Sequence, residues 1–467
     1  MLRIGVVDGS LCIAQFSLWR GAAPADMVLS CVGRLDQAGF DALDVMDGPL
    51  FQHCVKSGMD PWAWMRIAVG RAQRTPLNVW ISSTALFGTT PLSLDAITRG
   101  IDCLAKAGIR RLTCYDVFND PLSLTRFAEE ARQADIKCCA ALIFTNSDAS
   151  GGSQLPRLAR QLAGSVDSIC LWDPAGAMNP EVARELIPLM VEQCGDVALE
   201  LRTHCHSGRA EITYLDAVAA GVRTLHTSVE ALAGGISLPS LEYLVQTLRG
   251  GLTHVDGRMA EGSSEYISGF AERHGLAVGR HQLADFDAAR FEVPPDLLQE
   301  FDDITEAGVD RQNLLEESRY LREQAGGISL VYPLGTLVLR QAAHSIRSRG
   351  KTDSSNPGTD APGIANGGEG LIDGSAIERL RSLDTASIDL TTLKQAAGIS
   401  ESDESLLIAA MYGPQLAEAL WTSDTTAQTA PTRADTPLEL LISELKRRPE
   451  VRSICVTKGD WRFELGT

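Results

Sequence analysis

The sequence predicts an α/β fold, a (β/α)8 TIM barrel followed by a mostly helical C-terminal region, and three observations carry that prediction. Eight strand-like apolar runs alternate with amphipathic helix-like runs over roughly 250 residues, the length and rhythm of a parallel barrel. Several helix-like runs end in Ala-Gly, at Ala38-Gly39, Ala107-Gly108 and Ala220-Gly221, a usual C-cap signal. From about Leu283 the strand pattern stops and helical spacing takes over.

In chain order the strands are expected at Leu2–Asp8, Ala42–Met46, Leu77–Ser82, Arg111–Val117, Lys137–Phe144, Ser168–Asp173, Val197–His204 and Thr224–Thr227. The helices between them are expected at Pro24–Ala38, Leu92–Ala107, Pro121–Ala134, Pro180–Glu192 and Ala210–Ala220. An open doubly wound sheet is the competing architecture. It would normally place a Gly-rich phosphate loop after the first strand, and Asp8-Gly9-Ser10 is no such fingerprint.

The barrel is expected over 1–281 and the helical region over 282–350 and 371–421, with helices at Pro295–Glu306, Gln312–Gln324 and Leu334–Arg347. Residues 351–370, rich in Gly, Pro, Ser and Asp, read as a disordered loop, and 422–436 as a linker. In the tail, 437–467, Pro437 opens a helix to Arg448, and Val451–Thr457 with Trp461–Leu465 forms a hairpin about Lys458-Gly459-Asp460. A unit that small is expected to dock on another surface.

The 467 residues are 44% hydrophobic and 22% charged, enough for more than one core. A net charge of −18 and a pI near 4.9 argue against nucleic acid or an anionic membrane as partner, because both need a basic face. The 11 cysteines include no C-x-x-C and sit mostly in apolar runs, which fits reduced thiols in the cytoplasm. The first residues, MLRIGVVDGS, read as a strand and not a signal peptide, and no apolar run is long enough to span a bilayer. A cytoplasmic location is expected.

The stretch with most chemical content is Val197–Gly208, VALELRTHCHSG. Alternation along a strand would place His204 and His206 on one face, one pleat apart, at the strand's C-terminal end. That is how a barrel presents metal ligands to its mouth. Two ordinary buried histidines fit the residues equally well. Arg202, on the same face, reads as an ion-pair partner inside the barrel.

Several motifs resemble one family. Leu35–Val45 (LDQAGFDALDV), Gly48, Phe51 and Asp60-Pro61-Trp62 resemble LDEVGFxSLEV…GG…F…DPW of the biotin-dependent carboxyltransferases, the group of pyruvate carboxylase, the oxaloacetate decarboxylase α-subunit and the transcarboxylase 5S subunit. Tyr115–Pro121 (YDVFNDP) resembles FDALNDP, Ser168–Gly176 (SICLWDPAG) resembles SICIKDMAG, His204-Cys205-His206 resembles LHCH, and Gly234–Pro239 resembles GGTSxP. Val331-Tyr332-Pro333 with Gln341-Ala342 resembles VTP…TQA, and Ala410–Ala419 resembles the ALFP…VAE segment. The likeness runs from Met1 to about Trp421.

The resemblance implies carboxyl transfer or decarboxylation on a 2-oxo acid such as pyruvate or oxaloacetate, at a divalent metal (Zn, Mn or Co) held by an Asp, a carboxylated Lys and two histidines. The Lys position is Trp172 here. In the alignment with fewest gaps the ligand Asp falls on Ile13 and its neighbouring Arg on Cys12; moving the gap makes Asp8 the third ligand beside His204 and His206. The substrate-holding Arg falls on Ser82, a nearby Tyr on Thr89, and the proton-shuttling Thr on Ile236. Asp44, Asp116 and Asp173 survive as catalytic candidates, with Gln15, Arg20, Ser82, Trp172, Arg202 and Ile236 as pocket candidates. Asp116 and Asp120-Pro121 also read as a helix-start signal. Trp172 and Ile236 predict a pocket that has closed or turned apolar.

The expected metal is therefore weak or absent. The chain carries no Ala-Met-Lys-Met biotin site, so no covalent biotin is expected on it. A homodimer is expected, with a separate biotin carrier or an active carboxyltransferase subunit as further partner. Three functions stay open: a divergent carboxyltransferase or decarboxylase, a non-catalytic paralogue that pairs with an active subunit or a carrier, and a lyase or aldolase on another substrate. A sealed pocket favours the second.

Overall fold

The computed structural model describes residues 4–23, 25–146, 148, 153–248, 255–279, 284–352, 402–422, 453–458 and 461–466. Eight parallel strands, β1 (Gly5–Asp8), β2 (Ala42–Met46), β3 (Leu77–Ser82), β4 (Arg111–Tyr115), β5 (Lys137–Ile143), β6 (Ser168–Asp173), β7 (Ala198–Thr203) and β8 (Thr224–Thr227), close into a barrel in sequence order. β8 pairs with β1, so no edge is left open. Outward-facing residues such as Val6, Leu43, Val79, Leu112, Leu171, Leu201 and Leu225 pack under the surrounding helices in one core.

Helix starts follow the local chemistry. Asp60, Ser93, Asp120 and Asn179 each accept backbone N–H bonds at the helix that follows, and Pro61, Pro121 and Pro180 occupy first-turn positions where a missing N–H costs nothing. Gly108 and Gly221 close two helices at φ values of 95° and 108°, a left-handed conformation that glycine adopts without strain.

Most expected strands coincide with observed ones, and the differences have causes. β4 stops at Tyr115 because the Asp116 carboxylate accepts the N–H groups of Phe118 and Asp120 at 2.9 and 3.0 Å and turns the chain. β7 ends at Thr203, before the two histidines. Residues 1–3 of the expected first strand lie outside the described residues.

The helical region meets the barrel in two ways. Pro295–Glu306, Arg311–Gln324 and Leu334–Thr352 supply a second apolar cluster, with Leu297, Phe301, Leu314 and Val338. That cluster also contains Trp80, Tyr115, Cys139, Ala141 and Cys170 from the barrel lining, so these helices sit over its mouth. Asp403–Tyr412 and Pro414–Thr422 instead join the core outside the barrel, through Leu406, Leu407 and Ile408, with Arg99 pairing to Asp403 at 3.2 Å.

The expected loop over 351–370 begins too early, because helix Leu334–Thr352 continues through its first two residues. Residues 353–370 lie outside the described residues, as do 371–401, the expected linker from 423 to 436 and the expected helix from Pro437 to Arg448. β9 (Ser453–Lys458) and β10 (Trp461–Gly466) form the antiparallel pair expected of the terminal hairpin.

A buried carboxylate pins the loop that enters β3. Asp36, 1% exposed, accepts the backbone N–H groups of Gln73, Arg74 and Thr75 at 3.0, 2.8 and 2.7 Å. Asp36→Ala is predicted to cost about 2 kcal/mol, the scale for stranding buried donors, read as a lower denaturant midpoint at unchanged slope.

Candidate functional site

The barrel interior is charged, which a parallel barrel packed with branched apolar layers need not be. Asp44 on β2 accepts from Asn78 Nδ2 at 2.7 Å, Trp80 Nε1 at 2.9 Å and Arg202 Nη1 at 3.0 Å. One layer away, Glu200 on β7 takes Arg111 Nη2 on both oxygens at 2.7 Å and lies 2.9 Å from His226 Nε2. The Arg202 guanidinium stacks over Trp80 at 4.0 Å from the ring centre, a cation–π contact away from water.

Burial alone would raise both carboxyls. For Asp44, His226, Arg202 and Asn78 together outweigh it and hold the carboxyl below its usual range. For Glu200, the Arg111 charge with His226 and Ser168 brings it to about 2. Both acids are thus ionised, and each charge is met by a guanidinium.

Above this layer the barrel mouth is nearly filled. Ile13, Pro49, Trp80, Tyr115, Trp172 and Tyr332 wall a cavity of about 30 Å³, with Asp47, Arg202, His204 and Asp296 as its charged or polar edge. Trp172 lies edge-on to both Trp80 and Tyr115, with ring centres 5.1 and 5.2 Å apart. The Tyr115 hydroxyl donates to the Tyr332 carbonyl at 2.9 Å, tying the cap to the lining. Small-molecule pockets usually enclose roughly 300–1,000 Å³, and one water needs about 10–15 Å³. The space left here is water-sized.

The candidate residues separate on this geometry. Trp172, Arg202 and His204 line the cavity, and so does Ile13. Asp44 lies just below, engaged with Arg202. Asp116 binds Ser83 Oγ at 2.9 Å and the turn after β4. Asp173 accepts from Ala177 N, Met178 N and Thr203 Oγ1 at 2.9, 2.9 and 2.7 Å. Both act as turn formers, and burial raises both carboxyls.

Arg20 sits on the surface and pairs with Asp302 at 3.0 Å, away from the mouth. Gln15 is buried, 3% exposed, and lies outside the cavity lining. Ser82 contacts Thr84 Oγ1 at 3.2 Å, and Ile236 offers its backbone carbonyl to His204 Nδ1 at 3.0 Å; neither side chain lines the cavity.

The two histidines do not share a pleat. Because β7 ends at Thr203, the period-two argument stops one residue short of them. His204 turns to the mouth, whereas His206 packs against the Gly176 turn, and their ring centres lie 6.5 Å apart. Asp8 is held by Ser10, its oxygens 3.1 Å from the backbone N and 2.8 Å from Oγ, and burial pushes its carboxyl up to about 8.

Among the described residues no three His, Cys, Asp or Glu side chains converge on a common point. A stable zinc-type site needs three or four protein ligands, and Trp172 cannot supply one. The donor set therefore does not fit a resident divalent metal held by Asp8, His204 and His206.

Sequence reasoning missed Trp80, Tyr115, Asp47, Asp296 and Tyr332. Trp80 precedes Ser82 by one period of two on β3, a signal that was present. Asp296 and Tyr332 come from the helical region, and nothing local to them points to the barrel.

Comparison with known proteins gives a consistent kinship. No family model matches the chain. It is 26% identical over 351 residues to a pyruvate carboxylase subunit of Methanocaldococcus jannaschii, covering 73% of this chain and 62% of the relative. It is 22% identical over 333 residues to the methylmalonyl-CoA carboxyltransferase 5S subunit of Propionibacterium freudenreichii, covering 69% and 65%. The chain thus spans under two thirds of the length of these relatives. In structure it resembles the carboxyl transferase domain of Rhizobium etli pyruvate carboxylase, with a TM-score of 0.77 over 91% of this chain and 78% of that one at 18% identity, a likeness of fold.

The Glu200–Arg111 pair gives a pH-dependent prediction. Glu200 titrates at about 2 in the native state against roughly 4.3 for an unperturbed glutamate, so between those values the unfolded chain holds the extra proton. Its contribution is fully present above about pH 4.5 and is lost as pH falls toward 2. Asp8, raised to about 8, acts in the opposite sense, so the informative quantity is the stability gap between wild type and Glu200→Gln. That gap should widen from pH 2 to about 4.5 and stay flat above, by chemical denaturation at each pH.

Proposed function

Because this chain is a divergent member of the biotin-dependent carboxyltransferase family, we propose that it is a non-catalytic carboxyltransferase-fold subunit that pairs with an active carboxyltransferase subunit or a separate biotin carrier. The observation that carries this reading is the nearly filled mouth. With Ile13, Trp172 and Tyr332 in place, about 30 Å³ remains where a 2-oxo acid and a carboxyl donor would have to meet.

The chemistry supports the same reading. Carboxyl transfer to a 2-oxo acid passes through an enolate, whose charge needs a preorganised cation or donors. Loss of one such group typically costs about 10²–10³-fold in rate. Loss of an acid–base relay costs about 10²–10⁴-fold more. Such losses do not simply multiply, yet Trp172, Ile13, Ser82 and Ile236 stand where the family resemblance implies a Lys ligand, an Asp ligand, the substrate-holding Arg and the proton-shuttling Thr, and of that set the two histidines remain. The cation nearest the mouth, Arg202, is already committed to Asp44 at 3.0 Å.

A rebuilt carboxyltransferase, or a lyase or aldolase on another substrate, is the second reading. It draws on Asp47, His204 and Asp296, which keep polar groups at the cavity edge. Activity separates the two. The isolated protein is predicted to give no detectable oxaloacetate decarboxylation or pyruvate carboxylation, with or without free biotin. Turnover that disappears in His204→Ala would establish the second reading instead. Trp172→Lys with Ile13→Asp should raise metal occupancy, measured by elemental analysis, without restoring turnover unless Ile236→Thr and Ser82→Arg are added.

The same reading has the chain as a homodimer, as the family resemblance implies. Light scattering at micromolar concentration should give twice the 50.2 kDa chain mass, and a monomer would count against it.

A further inference from the structure

The cap that closes the barrel carries a carboxyl group into the mouth. Asp296 lies in the first turn of helix Pro295–Glu306, half-buried at the edge of the cavity. Across the same small space is Asp47, 7% exposed, whose Oδ1 caps helix Gly48–Lys56 through Leu50 N at 2.8 Å. Two carboxyl groups thus share a water-sized cavity walled by Trp80, Trp172, Tyr115 and Tyr332.

The groups facing this pair are few. Arg202 reaches the cavity from β7, but its charge is matched by Asp44. His204 also lines the cavity, and burial lowers its pKa, which keeps it neutral. Tyr115 and Tyr332 are held in their neutral phenol forms by burial, and the Cys12 thiol beside Asp47 by burial and that carboxylate. The other charged contacts of the helix, Arg20–Asp302, Arg340–Glu300 and Arg311 over the Phe301 ring, involve residues that do not line the cavity. Among the residues that line the cavity, no cation is free to neutralise two carboxylates. Like charges lining one small cavity cannot both ionise cheaply.

We infer that closure of the mouth is proton-coupled: Asp296 enters the barrel as the neutral acid opposite Asp47, and losing that proton loosens helix Pro295–Glu306 from the barrel. The electrostatics agree in sign. Burial, then the Asp47 charge, push Asp296 up to about 7, against roughly 3.9 for a solvated aspartate. A raised carboxyl favours the closed state while protonated. Closure is fully favoured below about pH 4 and weakens as pH rises to about 7, the opening equilibrium growing by up to about tenfold per pH unit between those limits. This device stands apart from the question of carboxyl transfer, because it concerns only how the cap is held.

Hydrogen exchange by mass spectrometry, corrected for the intrinsic pH dependence of exchange, tests it on the full chain. Protection over 295–306 should fall between pH 5 and 7 while helix Leu94–Ala107, distant from the cap, holds its protection. Asp296→Asn, an isostere of the neutral acid, should abolish the fall and keep the helix protected at pH 7.5. Asp47→Asn should make the fall smaller and end it at lower pH, since the like charge that raises the closed-state value is gone. A pH-independent wild type, or a fall unchanged in Asp296→Asn, would overturn the inference. Parallel loss of protection in the control helix would overturn it too, because the titration would then be global.

Discussion

The ion pair between Asp44 and Arg202 is the constraint on which the interior of this barrel depends. Both side chains are essentially inaccessible, and each has its place fixed by others: Asp44 by Asn78 and Trp80, Arg202 by the face of Trp80. A buried pair of this kind is weakly stabilising as a unit, but removing one partner strands a charge at roughly 3–5 kcal/mol. The layer therefore tolerates coordinated replacement and resists single changes. Glu200 and Arg111 form a second such pair below.

That pairing has a consequence one layer higher. Arg202 is held by Asp44 and stacked on Trp80, it is the one cationic side chain among the described residues that line the cavity, and the aromatic rings above it pack on one another. Trp172 contributes most, because it touches Trp80 below and Tyr115 beside it. The cap completes the closure through Tyr332, whose backbone is bound by Tyr115 and whose ring lies against Gly48, where any Cβ would collide with it. The fold is that of a carboxyl transferase domain, and packed aromatic rings and internal ion pairs occupy the centre of the barrel.

Much of this was legible in the sequence, for physical reasons that also mark where reading stopped. Apolar runs located the eight strands because strands of a closed parallel barrel are buried on both faces, and Gly108 and Gly221 marked helix ends because those positions need positive φ. Trp172 announced itself by standing where the related motif has Lys. The histidines misled because strand periodicity was extended past Thr203, where the chain had already turned. Asp116 and Asp173 look catalytic in a motif, yet their oxygens are spent on turn amides. Arg20 was placed by alignment, and nothing in its neighbours tells that it swings out to Asp302. Asp296 and Tyr332 lie more than ninety residues beyond the last strand that lines the cavity, so only the closed fold brings them to the mouth.

Arg202 and Arg111 face the buried carboxylates Asp44 and Glu200, so the barrel's interior pairs need no bound ion to meet their charge. A ligand bound to the native state stabilises it in proportion to the logarithm of its concentration over its Kd, so a tightly held metal must appear in the melting temperature. Thermal unfolding of protein purified without chelator, before and after exhaustive treatment with EDTA at pH 7, reads this directly. The account predicts the same Tm in both samples; a fall of several degrees that stoichiometric Zn(II), Mn(II) or Co(II) restores would contradict it.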